Sequence, residues 1–255
     1  MIKPSHFLLL MIALTLSSCQ SYKKIPYFQN LDRSKGLKEA IVNFSPLIVQ
    51  SEDILAINVS SLNPEASSVF NYNLATVTGS LYTTAENPVI GYLVDKNGNI
   101  QLPLVGAFKV AGLSTDQISK ELSLQLFKYL KDPVVNIRIL NFKVSVLGDV
   151  GRPGVFSIQN ERVTLPEALS MAGDLNISAI RTNVLLIRER NGFREYIDID
   201  LTSKDLFNSP HYYLKSNDVI YIQPDKSKYA TVDRTYRNLS LLLTALSVIA
   251  LVITR

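Results

Sequence analysis

Apolar positions along the chain form an unbroken run near the start, short alternating or helical patterns through the middle, and a second unbroken run near the end. In the middle, residues 47–60 (LIVQSEDILAINVS) read as strand. Beyond a turn at 51–53, Leu55, Ile57 and Val59 alternate with Ile54, Ala56 and Asn58, the period of a half-buried strand. Residues 61–88 are rich in Ser, Thr and Asn and read as a loop that could carry a hairpin at 74–82. Residues 89–94 (VIGYLV) and 100–104 read as strands about the turn 95–99, whose Asn97 and Gly98 tolerate positive φ. Gly106 breaks the second strand. Ser114 then opens a helix. Ser114 and Gln117 form a capping box, and Ile118, Leu122, Leu126 and Tyr129 give one apolar face. Lys131-Asp132-Pro133 ends it, and residues 134–140 alternate as a strand.

The same plan recurs from Phe142. Residues 143–147 and 155–158 read as strands about a turn, 148–154, shaped by Gly148, Pro153 and Gly154. Thr164 and Glu167 make a second capping box ahead of a short helix carrying Leu165, Ala168, Leu169 and Ala172. Gly173 stops that helix, as glycine commonly does just past a C-terminus. Residues 183–188 and 194–199 pair about Asn191-Gly192, and 218–223 (DVIYIQ) is a last strand, stopped by Pro224. Both units read strand, turn, strand, helix, strand. The expected fold class is therefore α+β, with two small mixed domains.

The two apolar runs fix the ends. Lys3 and then Phe7 to Leu16 form a basic start and a core too short to span a bilayer, the pattern of a signal peptide. It closes on Leu16-Ser17-Ser18-Cys19, which resembles the bacterial lipoprotein box. Cleavage is expected after Ser18 and lipidation on Cys19. No acidic run follows Cys19, so a body facing the periplasm is the simpler expectation. Residues 238–254 (NLSLLLTALSVIALVIT) carry no charge and lie between Arg237 and Arg255. They would span about 25 Å as a helix. That is short of an average hydrocarbon core of about 30 Å but suited to the thinner bacterial outer membrane. A transmembrane helix is expected there. Ser240, Thr244, Ser247 and Thr254 fall within a narrow stripe at about 0°, 40°, 340° and 320° around it. The stripe suits helix–helix packing through small residues, or a ring of copies that turns its hydroxyls toward a wet lumen.

Composition removes whole classes of chemistry. There is one cysteine and there are two histidines, His6 and His211, which leaves no intrachain disulfide, no thiolate cluster and no His-rich metal site. A Ser-His-Asp triad is disfavoured for the same reason. The net charge of +4 is spread through the chain, with no Lys/Arg run longer than two, which argues against a nucleic-acid binder. Asp53, Asp95 and Asp218 sit at turns and suit capping; nothing singles out a catalytic carboxylate pair. No metal, cofactor or enzymatic activity is expected.

The order of motifs resembles the outer-membrane polysaccharide export lipoproteins. Ser51 to Leu55, Asp95 to Gly106 (DKNGNIQLPLVG), Val110 to Ser114 and Lys131 to Val135 resemble the polysaccharide-export domain. Val146 to Val150 with Pro153-Gly154, Thr164 to Leu169, Ala172-Gly173 and Asn217 to Pro224 resemble the soluble-ligand-binding β-grasp (SLBB) domain. Asp174 stands where many relatives have a second glycine, and a single β-grasp unit is visible. The expected organisation is a signal peptide over 1–18, a linker over 19–43, and a polysaccharide-export domain over 44–140. A β-grasp domain over 141–226 and a C-terminal transmembrane helix over 234–255 follow. The resemblance implies a homo-oligomeric ring in the outer membrane that exports capsular or exopolysaccharide. It also implies an inner-membrane partner, a polysaccharide co-polymerase or tyrosine autokinase. Ser240, Thr244, Ser247 and Thr254 would line the pore. The competing reading is a membrane-tethered glycan-binding or adaptor lipoprotein that forms no pore.

Overall fold

A computed structural model describes residues 24–34, 36–71, 91–190, 192–230 and 234–253. The hairpin expected at 74–82 lies outside them. The first unit is built on β1 (Ile54–Ser60), the centre of an antiparallel sheet in the order β2 (Tyr92–Leu93), β1, β5 (Val134–Ile139). Its alternation is realised: Leu55, Ile57 and Val59 are buried against α2 (Thr115–Leu126). On that helix Ile118, Leu122 and Leu126 are fully buried, one turn apart. Ser114 and Gln117 cap it reciprocally, the Ser114 amide donating to Gln117 Oε1 at 2.9 Å. The helix ends at Leu126, so Tyr129, expected on its buried face, lies beyond it and is exposed.

Two elements of this unit differ from expectation. A short helix, α1 (Pro64–Ser68), replaces part of the expected loop, with the Asn63 side chain accepting from the amides of Glu65 and Ala66. Gly106, expected to end a strand, instead starts one. β4 (Gly106–Lys109) folds back on β3 (Asn99–Leu102), with Gly106 opposite Leu102. Only Phe108 of β4 is buried, so its sequence carries no alternation to read.

The second unit is one mixed five-stranded sheet in the order β7 (Gly154–Ser157), β6 (Lys143–Gly148), β10 (Val219–Pro224), β8 (Ala179–Arg190), β9 (Phe193–Ile199). β6 and β10 run parallel and the other pairs antiparallel. Helix α3 (Leu165–Met171) lies across the sheet, its Leu165, Ala168 and Leu169 buried with Val144, Val146, Ile220 and Ile222. First strand beside last, with one helix held in the curve, is the β-grasp arrangement. Gly148 permits the central pairing. Its φ is +99°, and a Cβ there would lie 2.0 Å from the Ile222 carbonyl oxygen.

Two helices follow, α4 (Lys226–Ala230) and α5 (Arg234–Ile253). The expectation of a transmembrane helix is corrected here: among the described residues no helix is long and apolar enough to cross a membrane. Arg234, Arg237 and Asn238 occupy the start of α5. That leaves residues 239–253, about 22 Å of rise, short of the average hydrocarbon core of about 30 Å and of the roughly 25 Å apolar band that outer-membrane proteins present.

Candidate functional site

Among the described residues, helix α5 carries the longest succession of exposed apolar side chains. Leu239, Leu241, Leu242, Leu243, Leu246, Val248 and Ile249 are all exposed. A contiguous apolar surface of this kind marks a protein or membrane contact. Within it, Thr244 Oγ1 donates to the Ser240 carbonyl at 2.8 Å, and Ser247 Oγ donates to the Thr244 carbonyl at 2.7 Å. Back-bonding of this type uses the hydroxyl hydrogen within the helix. The Thr244 and Ser247 oxygens keep acceptor capacity, so they offer lone pairs to a donor such as water or a sugar hydroxyl. Thr254 lies outside the described residues, as do Ser18 and Cys19.

The short helix that precedes α5, α4, is held by a buried carboxylate that sequence reading passed over as part of a turn. Asp149 is fully buried. It accepts from Asn176 Nδ2 at 2.8 Å and Ser178 Oγ at 2.5 Å, and it pairs with Lys228 of α4. Burial alone would raise its carboxyl, but the Lys228, Ser178 and Asn176 donors outweigh burial and hold it below its ordinary range. The Asp225 amide adds a bond to the Ser178 carbonyl at 2.7 Å.

The described part of the segment expected as a linker is a strap laid over the second unit. Tyr27 donates to Asp174 Oδ1 at 2.5 Å, and the Arg181 guanidinium lies over its ring at 5.6 Å. Burial, then the Asp174 bond, pushes the Tyr27 phenol well above its ordinary range. The Gln29 amide donates to the Thr202 carbonyl at 2.6 Å, and Asn30 Oδ1 accepts from the Lys204 amide at 2.6 Å. Further on, Asn43 Nδ2 donates to the carbonyls of Phe207 and Ser209 at 2.8 and 2.7 Å. Leu47, expected within the first domain, is buried in the core of the second. The strap, through Tyr27, and α4, through Lys228, both contact one loop cluster, where the Gly151 amide donates to the Asp174 carbonyl at 2.9 Å and the Asn176 amide to the Asp149 carbonyl at 3.1 Å.

The remaining candidates serve turns. Gly98 adopts φ +78° and its amide donates to the Asp95 carbonyl at 2.8 Å. Pro153 and Gly154 lie at the β6–β7 turn, with Gly154 opposite Val146. Asp53 accepts from the Gln50 amide at 2.8 Å; burial pushes its carboxyl up, and that bond opposes the push. Asp95 accepts from the Asn99 amide at 2.9 Å. Asp218 accepts from the Lys215 amide at 2.8 Å and also forms a buried bidentate pair with Arg188, which the sequence did not reveal. Among the described residues, no three His, Cys, Asp or Glu side chains come together as a metal site.

The two sheet-built units coincide with two known protein families. Residues 43–140 match the polysaccharide biosynthesis/export protein family and residues 142–222 match the SLBB domain. The chain belongs to the polysaccharide export family. Among curated proteins it is similar to the EPS I polysaccharide export outer membrane protein EpsA of Ralstonia solanacearum, 29% identical over 203 residues, or 77% of this chain and 52% of that one. The EpsA of Ralstonia nicotianae is 30% identical over 186 residues, 70% of this chain and 48% of that one. The chain thus spans about half the length of these curated relatives. A 24% match over 153 residues to an L-lactate dehydrogenase of Corynebacterium glutamicum covers 57% of this chain and 48% of that one. That match brings no dehydrogenase architecture with it. Among the described residues the sheets contain one parallel pair, whereas a dinucleotide fold needs a mostly parallel sheet with helices on both faces. Export proteins of this family are not enzymes.

Proposed function

We propose that this chain is a subunit of an outer-membrane assembly that exports capsular or exopolysaccharide from the periplasm to the cell surface. Cleavage after Ser18 and acylation of Cys19 anchor its N-terminus, and the two domains lie in the periplasm. Copies associate as a ring through which the polymer passes, fed by an inner-membrane co-polymerase or tyrosine autokinase. The observation that carries this reading is the succession of the two matched domains and an exposed apolar helix. In the assembly, α5 helices pack side by side, and several together meet the lipid where a lone helix falls short. Thr244 and Ser247, with Ser240 and Thr254, would then face the lumen and exchange hydrogen bonds with passing sugar hydroxyls.

One observation favours a second reading. The shortness of α5 also fits a helix that rests in the membrane interface and tethers a periplasmic glycan-binding adaptor. Replacing Ser240, Thr244 and Ser247 by Leu separates the two. The export reading expects loss of surface polysaccharide while the protein stays membrane-bound, and closed rings in particle images of detergent-purified protein. Normal export by the triple variant, with monomeric particles, would establish the adaptor instead.

A further inference from the structure

The two domains meet along a cleft of about 660 Å³, a volume typical of ligand sites. It lies between the start of α2, strand β5, the loop from β7 to α3, and the end of the strap. Its acids are largely engaged. Glu161 Oε1 accepts from Thr115 Oγ1 at 3.1 Å, a side-chain bond that joins the two domains across the cleft. Glu167 Oε2 accepts from the Thr164 amide at 2.7 Å and hydroxyl at 2.9 Å. Asp116 sits in the first turn of α2, where the helix dipole balances a negative charge.

The cleft's two cations are not engaged in this way. Arg138 alternates with the buried Val135 and Ile137 on β5 and so leaves the sheet on the opposite, solvent side. Arg162 comes from the other domain and lies over the Phe44 ring at 5.9 Å. Among the described residues neither arginine forms an ion pair. Guanidinium groups are planar forks matched to carboxylates. Two of them, supplied by different domains to one cleft, suit an anionic ligand. Phe44 is 59% exposed and gives an apolar surface for pyranose C–H groups, and the Gln159 and Asn160 amides can both donate to and accept from hydroxyls.

We propose that this interdomain cleft binds a uronate-bearing segment of saccharide, its carboxylate held by Arg138 and Arg162 and a ring face set against Phe44. The proposal rests on the export reading for the class of ligand. A neutral glycan would leave both guanidiniums without an anionic partner, so charge is the discriminating property.

The test is calorimetric titration of the detergent-purified full chain with trigalacturonate and, separately, with neutral maltotriose. Trigalacturonate should bind and maltotriose should not, and raising the salt should weaken the binding. Arg138→Gln and Arg162→Gln should each weaken trigalacturonate by at least about tenfold. Arg152→Gln, in the exposed β6–β7 turn, should leave it unchanged, and unaltered thermal melts should show that all three variants are folded. Equal binding of the two sugars, indifference to both cleft substitutions, or no binding of trigalacturonate at millimolar concentration would each overturn the proposal. Surface polysaccharide in cells lacking residues 238–255 is scored in parallel. If it is lost while trigalacturonate fails to bind, the cleft proposal falls and the export reading stands.

Discussion

Arg188 and Asp218 form the most consequential buried contact in the β-grasp domain. Their side chains are 9% and 1% exposed. Arg188 Nε donates to Asp218 Oδ1 at 2.9 Å and Nη2 to Oδ2 at 2.6 Å, while Nη2 also reaches the Tyr213 carbonyl at 3.3 Å. Replacing Arg188 by Leu removes both charged bonds. It leaves a carboxylate with only the Lys215 amide as donor, in a place water does not reach. Breaking a buried pair from one side costs about 3–5 kcal/mol, a large part of the roughly 5–15 kcal/mol that holds a domain together. Asp218→Leu should cost a similar amount by stranding the guanidinium. The double substitution strands neither charge, and similar exchanges elsewhere run from neutral to a gain of about 1–4 kcal/mol. Loss of the acceptor for the Lys215 amide takes back about 1 kcal/mol of that. The expected signature is two destabilised single variants and a double variant near the parent, with a coupling above about 3 kcal/mol. Urea unfolding of the full chain, read by amide exchange in β8 and β10, isolates this domain from the other. Single variants within about 1 kcal/mol of the parent, or a double variant showing the sum of both losses, would refute the reasoning.

Two further substitutions probe the same sheet. Gly148→Ala forces a side chain into a φ of +99° and against the Ile222 carbonyl, and should cost on the order of 3 kcal/mol in urea unfolding; a loss below about 1 kcal/mol would mean that β6 and β10 can part without penalty. Asp149 has a folded pKa below its unfolded one, so its contribution is complete above the unfolded value of about 3.9 and disappears as pH falls through the folded value. Asp149→Asn should therefore lose stability at neutral pH and flatten the acid limb of the stability curve. An acid limb as steep as the parent's would show that the Asp149 carboxylate and its pair with Lys228 do not stabilise the fold.

What sequence reading recovered is local. Both capping boxes are present, because Ser114 with Gln117 and Thr164 with Glu167 act across three residues. The buried face of α2 was legible from the spacing of Ile118, Leu122 and Leu126, and the strand at 134–140 from its alternation. Strand β4 was hidden because one side chain, Phe108, faces the core. Asp149, Arg188 and the strap were hidden for another reason. Polar residues are read from sequence as solvent-facing, and only partners far along the chain reveal that these are buried or pinned. The cleft arginines belong to the same group, since nothing in sequence places Arg138 and Arg162 around one space.

The strap also imposes an order on events. Tyr27 meets Asp174 across 147 positions, and Asn30 meets Lys204 across 174. Contacts this distant in sequence close late, because the loop between them must be ordered first. The earliest described residues thus have no docking surface until the β-grasp sheet has formed, and the strap is fastened late. A protease that trims residues 24–43 from an unfinished molecule but spares a finished one would read completion of the sheet directly, and the strap would serve as the protein's own seal of assembly.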